Sequence, residues 1–96
     1  MKITENDIHD HLRKRMVQRG VSLEEMQITL EKGWPALDAK KGTEGKIYVL
    51  PFNREWEGRY FEEKEVTVYY KFKAGELVLL TVKARYGKDF KRGGVS

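Results

Sequence analysis

Residues 65–86 read EVTVYYKFKAGELVLLTVKARY, the longest stretch of the chain with the period-2 pattern of a half-buried strand. Its first half alternates apolar residues with polar or aromatic ones, beginning at Val66 and ending at Phe72. A second apolar run, residues 77–86, follows a turn that contains Gly75. The stretch therefore predicts a β-hairpin on which the rest of the chain packs.

The turn of this hairpin sets the register of its two strands. A three-residue loop over residues 73–75 places Phe72 opposite Glu76 and makes one face of the hairpin wholly apolar. A two-residue loop places Lys71 opposite Val78 and mixes the faces, because a one-residue slip inverts every side chain. The three-residue loop is therefore predicted. It leaves a second face that is basic, aromatic and partly apolar: Thr67, Tyr69, Lys71, Leu77, Leu79, Thr81, Lys83 and Arg85.

The composition favours one soluble, cytoplasmic domain. A chain of 96 residues suffices for one modest core. It contains no apolar run of membrane-spanning length and no signal peptide, so no membrane partner is expected. The absence of cysteine excludes disulfides, thiol catalysis and zinc fingers. A net charge of +4 fits a polyanion ligand and fits equally a solvated surface without a preferred partner.

The first predicted helix spans residues 7–19, with Asn6 or Asp7 as its N-terminal cap. Apolar residues recur at every fourth position and form its buried stripe: Ile8, Leu12 and Met16. Arg15 and Arg19 fall inside or beside that stripe. Guanidinium groups at a buried edge need acceptors, so we expect protein carboxylates, carbonyls or a ligand phosphate near them.

The second predicted helix spans residues 23–32 and ends at Gly33. Ser22 and Glu25 have the spacing of a capping box, in which each side chain accepts from the backbone of the other residue. The link between the two helices is too short for anything except a tight corner. Residues 7–32 are therefore expected to form a helical hairpin.

The remaining segments complete an α+β domain. Residues 47–52, IYVLPF, predict a strand buried on both faces. Residues 53–63 allow two interpretations, a wide hairpin loop around Gly58 or a short strand. Residues 88–96 are basic and glycine-rich and predict a flexible tail. The expected architecture is a single domain of two parts: a helical hairpin over residues 7–32, packed on one face of a three- to four-stranded antiparallel sheet over residues 46–86.

The basic and aromatic sheet face is the first candidate site. Lysine and arginine neutralise phosphates, and flat aromatic rings stack on unpaired bases, so this face suits RNA. In the alternative interpretation it is a solvated face on which Lys83 pairs with Glu65 across the hairpin. The RNA-binding residues expected here and nearby in sequence are Tyr69, Lys71, Lys83, Arg54 and Arg59.

His11 and Arg15 are the second candidate, because residues four apart share one side of a helix. Phosphodiester cleavage needs proton transfer and a cation on the developing charge, which these two residues can supply. In the alternative, His11 bonds to a neighbouring loop and Arg15 anchors the helix to the sheet. His9 and His11 lack the spacing of metal ligands on a helix, so neither a metal nor another cofactor is expected.

A family resemblance is carried by the run His11-x-x-x-Arg15-Met16-x-x-Arg19-Gly20-Val21-Ser22, a second helix and the strand hairpin. Over residues 8–87 the chain resembles an uncharacterised prokaryotic domain family related to the RelE/ParE and BrnT toxins of toxin–antitoxin systems. The resemblance implies a RelE-like fold and an RNA-binding protein, with metal-independent endoribonuclease activity as the narrower expectation. The residues it implies for catalysis are His11, Arg15, Arg85 and Tyr86.

RNA or the ribosome, an antitoxin-like protein and a second copy of the chain are the partners considered. The main alternative function is a catalytically inactive protein-interaction module of the same fold. It would use an exposed apolar patch: Leu77, Leu79, Trp56 and Phe61. A DNA-binding accessory protein of a mobile element ranks last, because the second helix, residues 23–32, is acidic at its start and no helix is positioned as a basic recognition helix.

Overall fold

The structure, a computed structural model, describes residues 2–93. Within them, two helices precede a four-stranded antiparallel sheet in the order β1-β2-β3-β4, which confirms the predicted α+β architecture. Helix α1 packs on β4, and α2 packs on β2 and β3. The elements are a 3-10 turn at Glu5–Asp7, α1 at Asp10–Arg19, α2 at Leu23–Lys32, β1 at Trp34–Pro35, β2 at Glu44–Trp56, β3 at Arg59–Lys73 and β4 at Glu76–Gly87.

The main core lies between the two helices and one face of the sheet. In α1, Ile8 and Leu12 of the predicted stripe are buried, and Met16 packs at the edge of the core. Apolar side chains of α2, β3 and β4 fill most of the remainder of this layer: Met26, Leu30, Val66, Val68, Tyr70, Leu79 and Val82. Burial of these side chains is the main force that holds the helices on the sheet.

The first helix begins later than predicted. His9 is its N-cap and accepts, through Nδ1, from a backbone N–H of the first turn at 3.3 Å. Asn6 and Asp7 belong to a separate 3-10 turn that Thr4 caps, and Ile8 is extended between the two. The predicted cap was wrong because the local turn closed by Thr4 ends before α1 starts. Helix α2 has the predicted bounds.

The turn between β3 and β4 is a two-residue loop, so the predicted three-residue loop was wrong. Ala74 and Gly75 both have positive φ, +52° and +81°, as a type I′ turn requires. Lys71 therefore lies opposite Val78 and Phe72 opposite Leu77. An alanine in the first loop position is unusual for this turn, and it concealed the turn type in the sequence.

A β-bulge restores the segregation of the two faces that this register alone would destroy. Tyr70 lies opposite Leu79, but the next residue, Tyr69, lies opposite Thr81. Leu80 is thus the extra residue on β4. The two-residue turn places Leu79 in the helix-side core, not on the other face where the sequence placed it, and the bulge returns Val82 to that same core. Leu77, also expected on the opposite face, packs against the same core.

Residues 53–63 form the end of a long hairpin closed by a tight turn, so of the two interpretations the strand was right and the wide loop was wrong. Glu57 and Gly58 occupy the turn with φ of +51° and +82°. A bulge between Pro51 and Arg54, with Asn53 at φ +48°, bends β2 before this turn. The strand predicted over residues 47–52 is present, but it is not buried on both faces, since Val49 alone of these residues is buried and Pro51 is exposed, and β2 extends beyond it on both sides.

Candidate functional site

The sheet face turned away from the helices forms a groove with a volume of about 770 Å³. Residues 34–38 line one side of the groove, and residues 91–93 line the other. Its floor comes from side chains that alternate with core residues along β3 and β4: Glu65, Thr67, Tyr69, Lys83 and Arg85. The predicted basic and aromatic face is therefore a concave surface with two walls.

The first wall packs closely on the sheet. Trp34 lies opposite Ile47 in the short β1–β2 pairing, and Ala36 is buried. A Cβ on Gly45 would lie 2.9 Å from the Cβ of Ala36 and 3.1 Å from the Tyr69 ring. A larger residue at position 45 would therefore push this wall away from the floor.

The second wall is the C-terminal segment, residues 88–93, and Glu63 holds it. One carboxylate oxygen of Glu63 accepts from the backbone N–H of Phe90 at 3.0 Å. The other accepts from the guanidinium of Arg92 at 2.7 Å. Arg92, and after it the Phe90 N–H, holds the pKa of the Glu63 carboxyl below its ordinary value. One acidic side chain, that of Glu63, therefore holds the segment against the sheet through hydrogen bonds.

The two walls meet at one end of the groove, where Gly93 lies directly against the ring of Trp34. The predicted flexibility of residues 88–93 stays a prediction. Residues 94–96, the rest of the predicted tail, lie outside the described residues.

Asp38 ties the first wall to the floor. Its carboxylate oxygens lie 2.8 and 2.9 Å from the hydroxyl of Tyr69, which donates to them, and 3.3 Å from Lys83 Nζ at the nearer oxygen. The Tyr69 hydroxyl, with Lys83 as a lesser cause, lowers the pKa of Asp38. Burial, followed by the bond to Asp38, raises the pKa of Tyr69. Lys83 also lies 5.1 Å from the centroid of the Tyr69 ring.

Arg85 forms a two-pronged ion pair on the floor. Its Nε and one terminal nitrogen lie 2.8 and 3.1 Å from the two oxygens of Glu65, the residue directly opposite on β3. The predicted Lys83–Glu65 pair was therefore wrong, because the two-residue turn and the bulge each move the register by one position. The bonds to Glu65 raise the pKa of Arg85, whose guanidinium also lies 5.0 Å from the Phe90 ring.

The lining of the groove carries an excess of positive charge. Four cations and two carboxylates line it, and a third carboxylate, that of Glu63, pairs with Arg92, so the net charge is about +1 at neutral pH. Three of the cations are ion-paired within the protein, whereas Lys91 has no ion pair within residues 2–93. The lining cations are Lys83, Arg85, Lys91 and Arg92.

Three of the residues predicted to bind RNA or to act in catalysis lie together in this groove: Tyr69, Lys83 and Arg85. Lys71 follows Tyr69 on the same face, about 7 Å further along β3, and forms no ion pair within the described chain.

Arg54 and Arg59 lie at the other end of the sheet. Their guanidinium groups lie 4.6 and 5.6 Å from the rings of Phe52 and Phe61, near the β2–β3 turn. Arg54 is opposite Phe61, which is eight residues from Tyr69 on β3, or about 26 Å along an extended strand. The structure does not bring these two arginines to the groove.

The four residues expected in catalysis lie on different surfaces. His11 is exposed on α1, where its ring stacks with that of His9 at 6.2 Å. Among the described residues, Arg15 donates a hydrogen bond to Gln18 alone, at 3.5 Å. Arg85 is on the groove side of the sheet. Its neighbour Tyr86 is on the helix side, where its hydroxyl donates to the carbonyl of Arg19 at 2.5 Å.

The acceptors expected beside Arg15 and Arg19 are mostly missing. Arg15 is half-exposed, and its bond to Gln18 is long. The Nε of Arg19 is buried, with no hydrogen-bond partner among residues 2–93. Tyr86 lies beside this arginine but uses its hydroxyl on the backbone carbonyl.

The apolar patch expected for an interaction module is not formed. Leu79 is 1% exposed and belongs to the core. Trp56 stacks on Tyr86 with ring centroids 5.1 Å apart, and Phe61 packs on the same tyrosine at 5.7 Å. These aromatic rings form a cluster around Tyr86 and do not present a shared exposed surface with the two leucines.

Comparison with known proteins identifies no relative, so the evidence on function comes from the groove. No family model, no curated protein and no solved structure matches this chain. Within residues 2–93, neither helix has the length and apolar character needed to span a bilayer. The same residues contain no group of three or more histidine, aspartate or glutamate side chains placed to hold a metal ion.

Proposed function

We propose that this protein binds single-stranded nucleic acid, in the first place RNA, in the groove. The observation that carries the proposal is the meeting of a net positive lining with the half-buried ring of Trp34 on one concave surface, whereas Tyr69, only 9% exposed, contributes mainly its hydroxyl edge. Cations bind the phosphate backbone, and aromatic rings provide surfaces for unpaired bases. Lys83 and Arg85, which stand on neighbouring positions of one face of β4, supply the central charges.

The dimensions of the groove favour unpaired nucleotides. A volume of about 770 Å³ lies in the range of small-ligand sites, roughly 300–1,000 Å³, so bases enter singly and not as a duplex. The preference for RNA over DNA rests on the resemblance to the RelE-related family, as does an antitoxin-like partner, whereas a cytoplasmic location is the prediction made from composition. A homodimer is a further prediction without support from the geometry.

The proposal concerns binding and stops short of cleavage. His11 and Arg15 lie on the helix layer, whereas Arg85 lies on the opposite side of the sheet. His11 and the groove cations therefore do not converge on one phosphate in this arrangement. Endoribonuclease activity stays the narrower prediction, to be tested separately.

Binding is tested by fluorescence anisotropy with a labelled single-stranded RNA. Lys83→Gln removes a groove cation, and Lys14→Gln removes an exposed α1 cation that has no ion pair within residues 2–93. We expect Lys83→Gln to weaken binding and to reduce the slope of log K against log salt by about 0.7, as loss of one phosphate contact predicts. Equal weakening by both variants, or no binding by the wild type, would refute the groove as the binding site.

Cleavage is tested by incubating the protein with total RNA and with translating ribosomes, without added metal. His11→Ala and Arg85→Gln are the matched variants. Site-specific cuts that vanish in either variant would add nuclease activity to the proposal. Intact RNA together with salt-sensitive binding would limit the function to binding.

A further inference from the structure

Three of the four groove cations form ion pairs with carboxylates of the protein itself. Arg85 is held by two bonds to Glu65, and Lys83 and Arg92 each have one carboxylate partner. A carboxylate and a phosphate offer the same kind of two-oxygen acceptor to a guanidinium. The internal acids therefore stand where the phosphates of a ligand would bind.

Glu63 differs from the other two acids because it also holds a segment of chain. Within residues 2–93, the hydrogen bonds from the 88–93 segment to the remainder of the fold go to Glu63, through the N–H of Phe90 and the guanidinium of Arg92. Apolar contacts, such as that of Gly93 with Trp34, complete the attachment. Loss of one carboxylate would thus release both the wall and a cation.

We propose that residues 88–93 are a strap across the groove, that Glu63 is its latch in the free protein, and that a phosphate of the bound nucleic acid replaces Glu63 on Arg92. The strap closes one end of the groove, so a strand longer than the groove passes only when the strap moves. Arg92 is then a phosphate-binding residue supplied by the strap. The inference rests on the proposed function.

The Glu63–Arg92 ion pair is weak enough for a polyanion to displace Glu63. The Arg92 side chain is 44% exposed and that of Glu63 is 19% exposed, so solvent and salt screen their attraction. A nucleic acid presents several phosphates at once, and Lys91 offers it a cation that is not ion-paired with any carboxylate of residues 2–93. Exchange of Glu63 for phosphate therefore needs no rearrangement of the sheet.

The matched pair of variants is Glu63→Gln and Glu62→Gln. Both remove one negative charge from adjacent positions of β3, but Glu62 is exposed and has no ion pair among the described residues. With a labelled single-stranded RNA, we expect Glu63→Gln to bind about twofold to fivefold more tightly than Glu62→Gln, because the weak competing ion pair is gone. Equal or weaker binding by Glu63→Gln overturns the latch.

Hydrogen exchange at the Phe90 amide gives a second readout on the full-length chain. We expect faster exchange in Glu63→Gln than in Glu62→Gln, and faster exchange in the wild type when RNA is added. RNA binding with unchanged Phe90 protection overturns the strap and leaves the proposed function in place. Absence of RNA binding in all three proteins overturns the proposed function, whereas the comparison of the two variants without RNA still supports or refutes the latch.

Discussion

The ammonium group of Lys64 lies 2.8 Å from a carboxylate oxygen of Glu25, and only 1% of the lysine side chain is exposed. The same ammonium donates to the carbonyl of Gly20 and lies 5.4 Å from the centroid of the Tyr86 ring. The Glu25 oxygen also accepts from the backbone N–H of Ser22 in the capping box. One buried cation thus joins the corner between the helices to the middle of β3.

Removal of this cation should strongly destabilise the fold. Lys64→Ala leaves Glu25 without its counter-charge and the Gly20 carbonyl without its side-chain donor. We expect a loss of about 3–5 kcal/mol in the free energy of unfolding, the usual cost of breaking a buried pair. Urea denaturation measures it, and Lys71→Ala, which removes a lysine that has no ion pair within residues 2–93, is the control.

A double variant separates the charge from the packing. Lys64→Met with Glu25→Gln should lose less stability than the sum of the two single variants, because neither charge is then left unpaired. Strictly additive losses would show that the two side chains act independently.

The helix corner requires glycine at position 20. Gly20 has φ +70°, and a Cβ there would lie 2.5 Å from the Trp56 ring and 2.8 Å from the Tyr86 hydroxyl. Gly20→Ala should therefore cost more than Gly42→Ala, at φ +83°, where no atom lies within 4 Å of the added Cβ. Backbone strain alone accounts for about 1–2 kcal/mol in each, and overpacking adds about 1–3 kcal/mol at position 20.

Thermal unfolding of the two alanine variants provides this comparison. Equal losses would mean that the aromatic cluster moves aside at no cost. In that case Trp56 and Tyr86 would not hold the corner between the helices.

The β3–β4 turn offers a stabilising substitution. Ala74 has φ +52° at the first position of a type I′ turn, where asparagine followed by glycine is preferred. Ala74→Asn should raise the free energy of unfolding by roughly 0.5–1 kcal/mol, because asparagine tolerates the left-handed region better. Urea denaturation measures the gain, and Ala74→Val should instead destabilise; a neutral Val variant would contradict the turn geometry.

Tyr86 should make stability depend on pH at alkaline values. Burial, followed by the charges of Glu25 and Glu57, raises the pKa of Tyr86 from 10 to about 12. A tyrosine with a raised pKa stabilises the fold below pH 10, and this contribution is lost as the pH rises towards 12. The stability difference between wild type and Tyr86→Phe should therefore narrow over that interval.

Chemical denaturation at a series of pH values measures this narrowing. Tyr60→Phe, which alters a tyrosine that is 61% exposed, is the control. A difference that stays constant from pH 10 to pH 12 would contradict the raised pKa of Tyr86.

Asp38 should lose its depressed pKa when the Tyr69 hydroxyl is removed. That hydroxyl is the largest cause of the lowered pKa, and Lys83 contributes less. NMR titration of the carboxyl group should show a higher Asp38 pKa in Tyr69→Phe than in Lys83→Met. The lowered pKa means that ionised Asp38 stabilises the fold above its ordinary pKa of 3.8 and that this contribution is lost as the pH falls further. The free energy of unfolding of Tyr69→Phe should therefore fall less between neutral and acidic pH than that of the wild type. A higher Asp38 pKa in Lys83→Met than in Tyr69→Phe would instead make the charge of Lys83 the main cause of the lowered pKa.

Local chemistry made the helical part of the fold predictable. The capping box of Ser22 and Glu25 and the stop at Gly33 lie within a few residues of the helix that they bound, and α2 has the predicted limits. The start of α1 was missed because Thr4 offers a competing cap for a separate turn. Propensity could not decide between two adjacent caps of similar quality.

The site was predictable only in part. Period-2 alternation placed Tyr69, Lys83 and Arg85 on one face of the sheet, where the structure has them. Nothing in the pattern indicated that Asp38 or Arg92 would join them. Asp38 is 31 residues from Tyr69 in the chain, and Arg92 is 29 residues from Glu63.

The sequence by itself determined the two helices, the hairpin and the two faces of β3, because caps and residue periods act over a few neighbouring residues. Tertiary structure alone decided the bulge after Tyr69, the Arg85–Glu65 pair that depends on it, and the strap held by Glu63. A bulge is the compromise between a tight turn and the burial of one face, and only the packed sheet enforces that compromise. Contacts across some thirty residues follow from this packing and leave no local pattern.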